Sequence, residues 1–133
     1  MYREMTICVI TVIAIIIGNI LSENYTKSSV QESTNLLAEL KDELIDNNKD
    51  VEKTNNKAKK QIDKIHENWD KKYNILAFYL EHNELEKIET ELTGLRASIE
   101  TEDYEQAVNE LDKAVYLLNH VEEKNKLSWK NIF

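Results

Sequence analysis

No proline occurs in this 133-residue chain, and glycine occurs only twice, as Gly18 and Gly94. Tight turns between strands draw heavily on both residues, whereas helices run long and unkinked without them. Charged residues make up 32 % of the chain and are mostly Glu, Lys and Asp, the make-up of solvated helix faces. The chain therefore reads as all-α, and the apolar pattern must say where each helix lies.

Met5 to Leu21 reads MTICVITVIAIIIGNIL, uncharged throughout and rich in isoleucine. At helical rise it spans roughly 25 Å, just under the hydrocarbon thickness of a bilayer. It is apolar on every face, which a buried soluble helix of this size is not. Two fates fit: a signal anchor that stays as one transmembrane helix, or a cleaved signal peptide that leaves a secreted domain. The anchor is favoured. Arg3 and the amino terminus are offset by Glu4, so the flank lacks a typical run of positive charge. Bulky Ile20 also stands where a cleavage site wants a small residue. Arg3 on one side and Lys27 beyond the other give a small positive-inside bias that puts the following domain outside the cytoplasm, in the cell membrane as a single-pass protein.

Net charge is −8, and residues 24–133 alone hold 16 basic and 23 acidic residues, a balance of −7. Such a domain repels nucleic acid and anionic headgroups. Lys57-Ala58-Lys59-Lys60, its densest basic stretch, reads as a solvated face beside Glu52 and Asp63. The single cysteine, Cys8, falls inside the apolar segment, so the domain has neither a disulfide nor a thiolate metal site.

Four apolar stripes follow a polar stretch. Val30, Leu37, Leu40 and Leu44 form the first, widened by Leu36 and Ile45 and ending at Asp46-Asn47-Asn48. Ile62, Ile65, Trp69, Tyr73, Leu76 and Leu80 form the second; residues 47–61 before it carry only Val51 and Ala58, which predicts a mobile turn and a poorly packed first half of that helix. Leu85, Ile88, Leu92, Leu95 and Ile99 form the third, a clean seam with Asn83 and Glu86 as a capping pair and with Gly94 off it, read first as a neutral surface position and second as a close approach of helices. Tyr104, Ala107, Val108, Leu111, Val115, Leu118 and Val121 form the fourth, capped by Thr101 or Asp103. Short turns make neighbours antiparallel. The expected architecture is an N-terminal transmembrane helix (1–22), a linker (23–29), an up-down bundle of about four helices (30–126) and an apolar C-terminal tail (127–133) that tucks back on the bundle or docks on a partner. About 20 apolar positions make a thin core for a domain of this length, so self-association or packing on another protein would help it.

The search for chemistry returns little. Asp63-x-x-His66, with Asp70 a turn on, is half of a carboxylate-bridged metal motif, but neither His82 nor His120 has the acid that would complete it. The solvated-face reading is preferred, and no metal, cofactor or catalytic residue is assigned. No Ser/His/Asp set, glycine-rich phosphate loop or small-molecule substrate site is evident. Tyr73, Phe78, Tyr79 and Trp69 cluster in one stretch and read first as core, second as a binding patch. The candidate interaction surface is Trp69, Tyr73, Tyr79, Trp129, Ile132 and Phe133.

Glu102-Asp103-Tyr104-Glu105-Gln106-Ala107, with Leu111 and Ala114, resembles helix A of a tetratricopeptide repeat. Arrays need about three repeats, and the nearest counterpart, Asp50-Val51-Glu52-Lys53-Thr54, lacks the alanine, so a helical hairpin is the better reading. A second likeness runs from end to end. The short span, Trp69, His82-Asn83-Glu84-Leu85-Glu86-Lys87-Ile88, Leu92-x-x-Leu95-Arg96-Ala97-x-Ile99-Glu100 and Leu127-Ser128-x-x-Asn131-Ile132-Phe133 are similar to those of the bacterial domain-of-unknown-function family 4363. The resemblance implies a small single-span, all-helical protein with a multi-span membrane partner, and it carries over no assigned activity.

These readings converge on a membrane-anchored helical interaction or accessory protein, not an enzyme, held by residues 5–21 and binding an integral membrane partner or a second copy of itself. The alternative is an envelope or division scaffold with a coiled-coil stalk. A secreted helical domain or a metal-binding bundle is the weaker option.

Overall fold

The computed structural model describes residues 1–46 and 50–131, with the side chains of Ser128 and Trp129 outside that description. Four helices account for it: α1 (Tyr2–Ile45), α2 (Val51–Leu76), α3 (His82–Glu100) and α4 (Tyr104–Lys130), with no strand among the described residues. Each helix packs on its two neighbours in a ring, α1 on α2 and α4, α3 on α2 and α4, and among the described residues no diagonal pair of helices brings its backbones close. Cross-helix pairs run antiparallel throughout. Lys41 meets Asp112 at 2.7 Å, Lys57 meets Glu43 at 2.6 Å and Arg96 meets Asp63 at 2.8 Å. The molecule is an up-down four-helix bundle carrying a long apolar N-terminal extension.

The core follows the stripes. Leu37, Leu40, Leu85, Ile88, Leu95, Ile99, Ala107 and Ala114 are completely covered, and Ile62, Trp69, Leu76, Leu111 and Leu118 nearly so. Spacings alternating between three and four put one seam per helix into the bundle axis, the condition for knobs-into-holes packing. Each large side chain so buried contributes about 1.5–3 kcal/mol, and that burial closes the fold. In α4, alanines alternate with leucines (Ala107, Leu111, Ala114, Leu118), so its backbone comes close to its neighbours.

Several boundaries differ from those the sequence suggests. α1 is one helix of 44 residues, about 66 Å long, from the apolar segment into the bundle. Residues 23–29 are thus helix and not a linker, and Thr26 and Ser29 are buried. The first half of α2 is helical from Val51, capped by the Asp50 carboxylate accepting from Glu52 N at 3.1 Å. It buries Thr54, Asn55 and Ala58. α3 begins at His82 behind Glu81 and not at Asn83, because the chain turns early. Leu80 N donates to Leu76 O at 2.8 Å, and Leu80 packs on the core. Asp103 does cap α4, its carboxylate accepting from Gln106 N at 3.1 Å. Gly94 is no bare surface position: a Cβ there would meet Glu110 Oε2 at 3.2 Å. α4 runs to Lys130, so residues 127–130 of the expected tail are helical, and Leu127 is exposed instead of tucked back. The turn expected at Asp46-Asn47-Asn48 extends into residues outside those described.

Candidate functional site

The apolar turns of α1 are the most unusual surface of the molecule. The stretch of α1 long and apolar enough to cross a membrane has no buried residue. Asn19 is the first residue of the chain to be partly covered, and Thr26 the first to be buried. The point where α1 enters the bundle is therefore sharply placed, around Ser22.

A collar of polar groups surrounds that entry. Thr26 Oγ1 donates to Ser22 O at 2.8 Å, one turn back along its own helix. Its oxygen also lies 2.8 Å from the Tyr79 hydroxyl, which donates to Ser22 O at 3.2 Å. Asn125 Nδ2 of α4 reaches Thr26 Oγ1 at 3.4 Å. Burial pushes the Tyr79 phenol above its usual pKa, keeping it a neutral donor. Three elements, α1, the α2–α3 connection and α4, are thus pinned together at one level. Beside the collar lies a cleft of about 80 Å³ lined by Tyr79, Leu80, Glu84, Val121 and Asn125. Lys124 bridges Glu81 (3.2 Å) and Glu84 (3.6 Å) there. The cleft is several-fold smaller than a cavity for a drug-sized ligand.

The residues singled out as an interaction surface separate. Trp69 is 1 % exposed and belongs to the core. It faces no partner, because its position on the Ile62–Ile65–Trp69 seam turns it inward. Tyr73 is half-buried, edge-on to both Trp69 (6.3 Å) and His82 (5.7 Å). Tyr79 is half-buried in the collar. Ile132, Phe133 and the Trp129 side chain lie outside the described residues. Three aromatics are exposed among the described residues, Tyr2 in the first turn of α1, Tyr116 on α4 and Phe78, the last 88 % exposed in the connection between α2 and α3. The signal of Phe78 in the sequence is that it falls two residues beyond Leu76, off the apolar stripes on either side.

The histidine motif resolves differently from a solvated face. His66 is buried and its Nε2 lies 3.0 Å from Leu92 O, so it ties α2 to α3. Asp63 is taken up by Arg96. His82 and His120 are exposed, the latter stacked on Tyr116. Among the described residues no three His, Cys, Asp or Glu side chains gather as a metal site. Three other charged groups are set by the packing. The Lys72 ammonium, bonded to Glu32, holds that carboxyl below its usual pKa, helped by Asn68 Nδ2 at 2.7 Å. Across the α3–α4 seam, Glu91 and Glu110 share a hydrogen bond that raises the first and lowers the second. Gln106 Nε2 donates to Glu110 at 2.5 Å.

Neither a curated protein nor a solved structure matches the chain. A family model does, that described as Domain of unknown function (DUF4363), over residues 20–132. The match starts where α1 approaches the bundle and covers all four bundle helices, so the signature is that of the bundle and its entry. The chain belongs to the DUF4363 family.

Proposed function

We propose that this protein is a membrane-anchored helical interaction protein. Residues 5–21 of α1 cross the bilayer once, and the acidic bundle sits at its outer face, binding an integral membrane partner or a second copy without catalysis of its own. The single observation that carries this reading is the continuity of α1. One helix passes from exposed apolar turns into a packed core, which holds the bundle within a turn of the lipid. Tethering of this kind concentrates a binding surface near any other membrane protein. The stalked-scaffold alternative finds less support, since the chain folds back after Ile45 and packs α2 along α1.

The test is fractionation of intact cells with external protease, followed by crosslinking and identification of captured partners. The expected result is a full-length chain that resists alkaline extraction and loses its bundle to external protease. A chain released into the medium, with its first residue mapped beyond Leu21, would overturn the anchor. A chain that stays monomeric and uncrosslinked in mild detergent and in cells would overturn the interaction role.

A further inference from the structure

The proximal end of the bundle carries more than the anchor. Antiparallel topology brings the 77–81 connection and the C-terminal end of α4 to the level where α1 leaves the core. Three observations give the register. The Tyr79 hydroxyl donates to Ser22 O, one residue past the last apolar position, Leu21. Asn125 reaches Thr26, and Glu23 is among the carboxylates acting on Lys126. Four to five further residues carry α4 to Lys130, about 6–8 Å, level with Asn19 to Leu21. The partial cover of Asn19 agrees with that reach.

At this level the bundle turns out an unusual set of side chains. Phe78 projects almost bare from the connection, with Ile75 (46 % exposed) one turn before it. Leu127 is exposed on α4, and Lys130, also exposed, lies in its last turn. Tyr25 and Tyr79 stand half-buried alongside, their rings on the core. Aromatic rings at the headgroup level with a lysine that can extend to the phosphates are the furniture of a membrane interface. The charges agree. Glu81 and Glu84 are bridged by Lys124, and Glu122 by Lys126 (2.8 Å); with Glu23, Glu123, Lys27 and Lys130 this end holds five acidic and four basic residues, a balance of −1, while the domain as a whole is acidic. The opposite end exposes Ile45 and Val51 among Asp50, Glu100, Glu102 and Asp103, and its described aromatic, Tyr104, is half-buried with its ring on the core.

Resting on the anchor reading, we infer that the α2–α3 connection is a second membrane contact: Phe78 inserts into the headgroup region of the bilayer that α1 crosses, with Leu127 and Lys130 of α4 beside it. The bundle is then seated on the lipid surface at two further points and does not swing from one helix. Because the contact is aromatic and carries little net charge, zwitterionic lipid suffices for it.

The test uses the full chain with Cys8→Ser, reconstituted in phosphatidylcholine vesicles. Single nitroxide labels are placed through Phe78→Cys, Leu127→Cys, Val51→Cys and Val12→Cys, all exposed positions. Collision with oxygen, which partitions into lipid, is compared with collision with a water-soluble nickel chelate. The expected result is an oxygen-to-nickel ratio at 78 and 127 several-fold above that at 51, approaching that at 12. A label at 78 as nickel-accessible as at 51, with 12 lipid-exposed, overturns the seating and leaves the anchor standing. Protection at 78 from both probes means that a second copy covers it, and also overturns the seating. An aqueous label at 12 defeats the anchor itself and the seating with it.

Discussion

Trp69 and Phe78 come from one aromatic stretch, yet one fills the core and the other is almost bare. Periodicity separates them, since Trp69 keeps the seam and Phe78 does not, but composition alone joins them into a single patch. Tyr79 shows the limit of that reading: its ring packs on the core, while its hydroxyl serves a carbonyl 57 residues away in sequence. Tyr79→Phe keeps the packing and deletes the collar bond. Thr26 retains its bond to Ser22 O, so the expected loss is about 0.5–1.5 kcal/mol, read by thermal unfolding of the full chain in detergent. The Glu91–Glu110 pair gives a pH-dependent expectation. Glu91 is raised by its bond to Glu110, so its contribution to stability is complete below the ordinary value of 4.5 and is lost as pH rises through its elevated folded pKa. Glu110 is lowered by the same bond, so its contribution is lost only as pH falls through a value below that range. Glu91→Gln should therefore unfold at a higher temperature than the parent at pH 7, with the gap closing near pH 4. A gap that does not change with pH would mean the two carboxyls do not share the proton.

At the scale of the helix, the four seams were legible because large aliphatic side chains recur at intervals of three and four. What escaped the pattern is polar. Thr26, Ser29, Thr54 and Asn55 lie buried on α1 and α2, where hydropathy reads linker or weak helix. A short hydroxyl side chain can turn its oxygen back to the carbonyl one turn before it, as Thr26 does to Ser22, and then costs little to bury. Asn55 instead donates to Glu102 Oε1 at 3.1 Å. No periodicity announces the Glu102 partner, because it depends on how the helices meet. Gly94 is the same lesson for size. The α3–α4 seam comes close enough for the Glu110 carboxyl to lie over it, but that carboxyl ends a flexible side chain and can give way. Gly94→Ala should then stabilise the bundle by less than about 1 kcal/mol, the helix-propensity gain set against displacement of Glu110. Denaturant unfolding measures it, and a clear loss would show that the seam has no slack.

For the whole molecule, the fold class and the apolar extension were readable from composition and period, whereas the join between them was not. The join is an unbroken helix, and its stiffness can be tested where it is exposed. Asn24→Pro removes a backbone donor and clashes with the preceding turn, a cost of about 3 kcal/mol or more in a helix interior. With Cys8→Ser, nitroxides at Val12 and Val51 should give a narrow distance distribution in the parent and a broad one in the proline variant. Equal breadth in both would mean that the span and bundle already move independently. If the parent is narrow, the azimuth of the span is set as well as its length. Val30, Leu37, Leu40 and Leu44 key the lower turns of α1 into the core, so the upper turns cannot spin without dragging one wall of the bundle. Every flank of residues 2–21 then keeps a constant compass bearing to α2 and α4, so that, on the proposed anchor, a neighbour gripping one flank in the bilayer would meet one chosen side of the bundle.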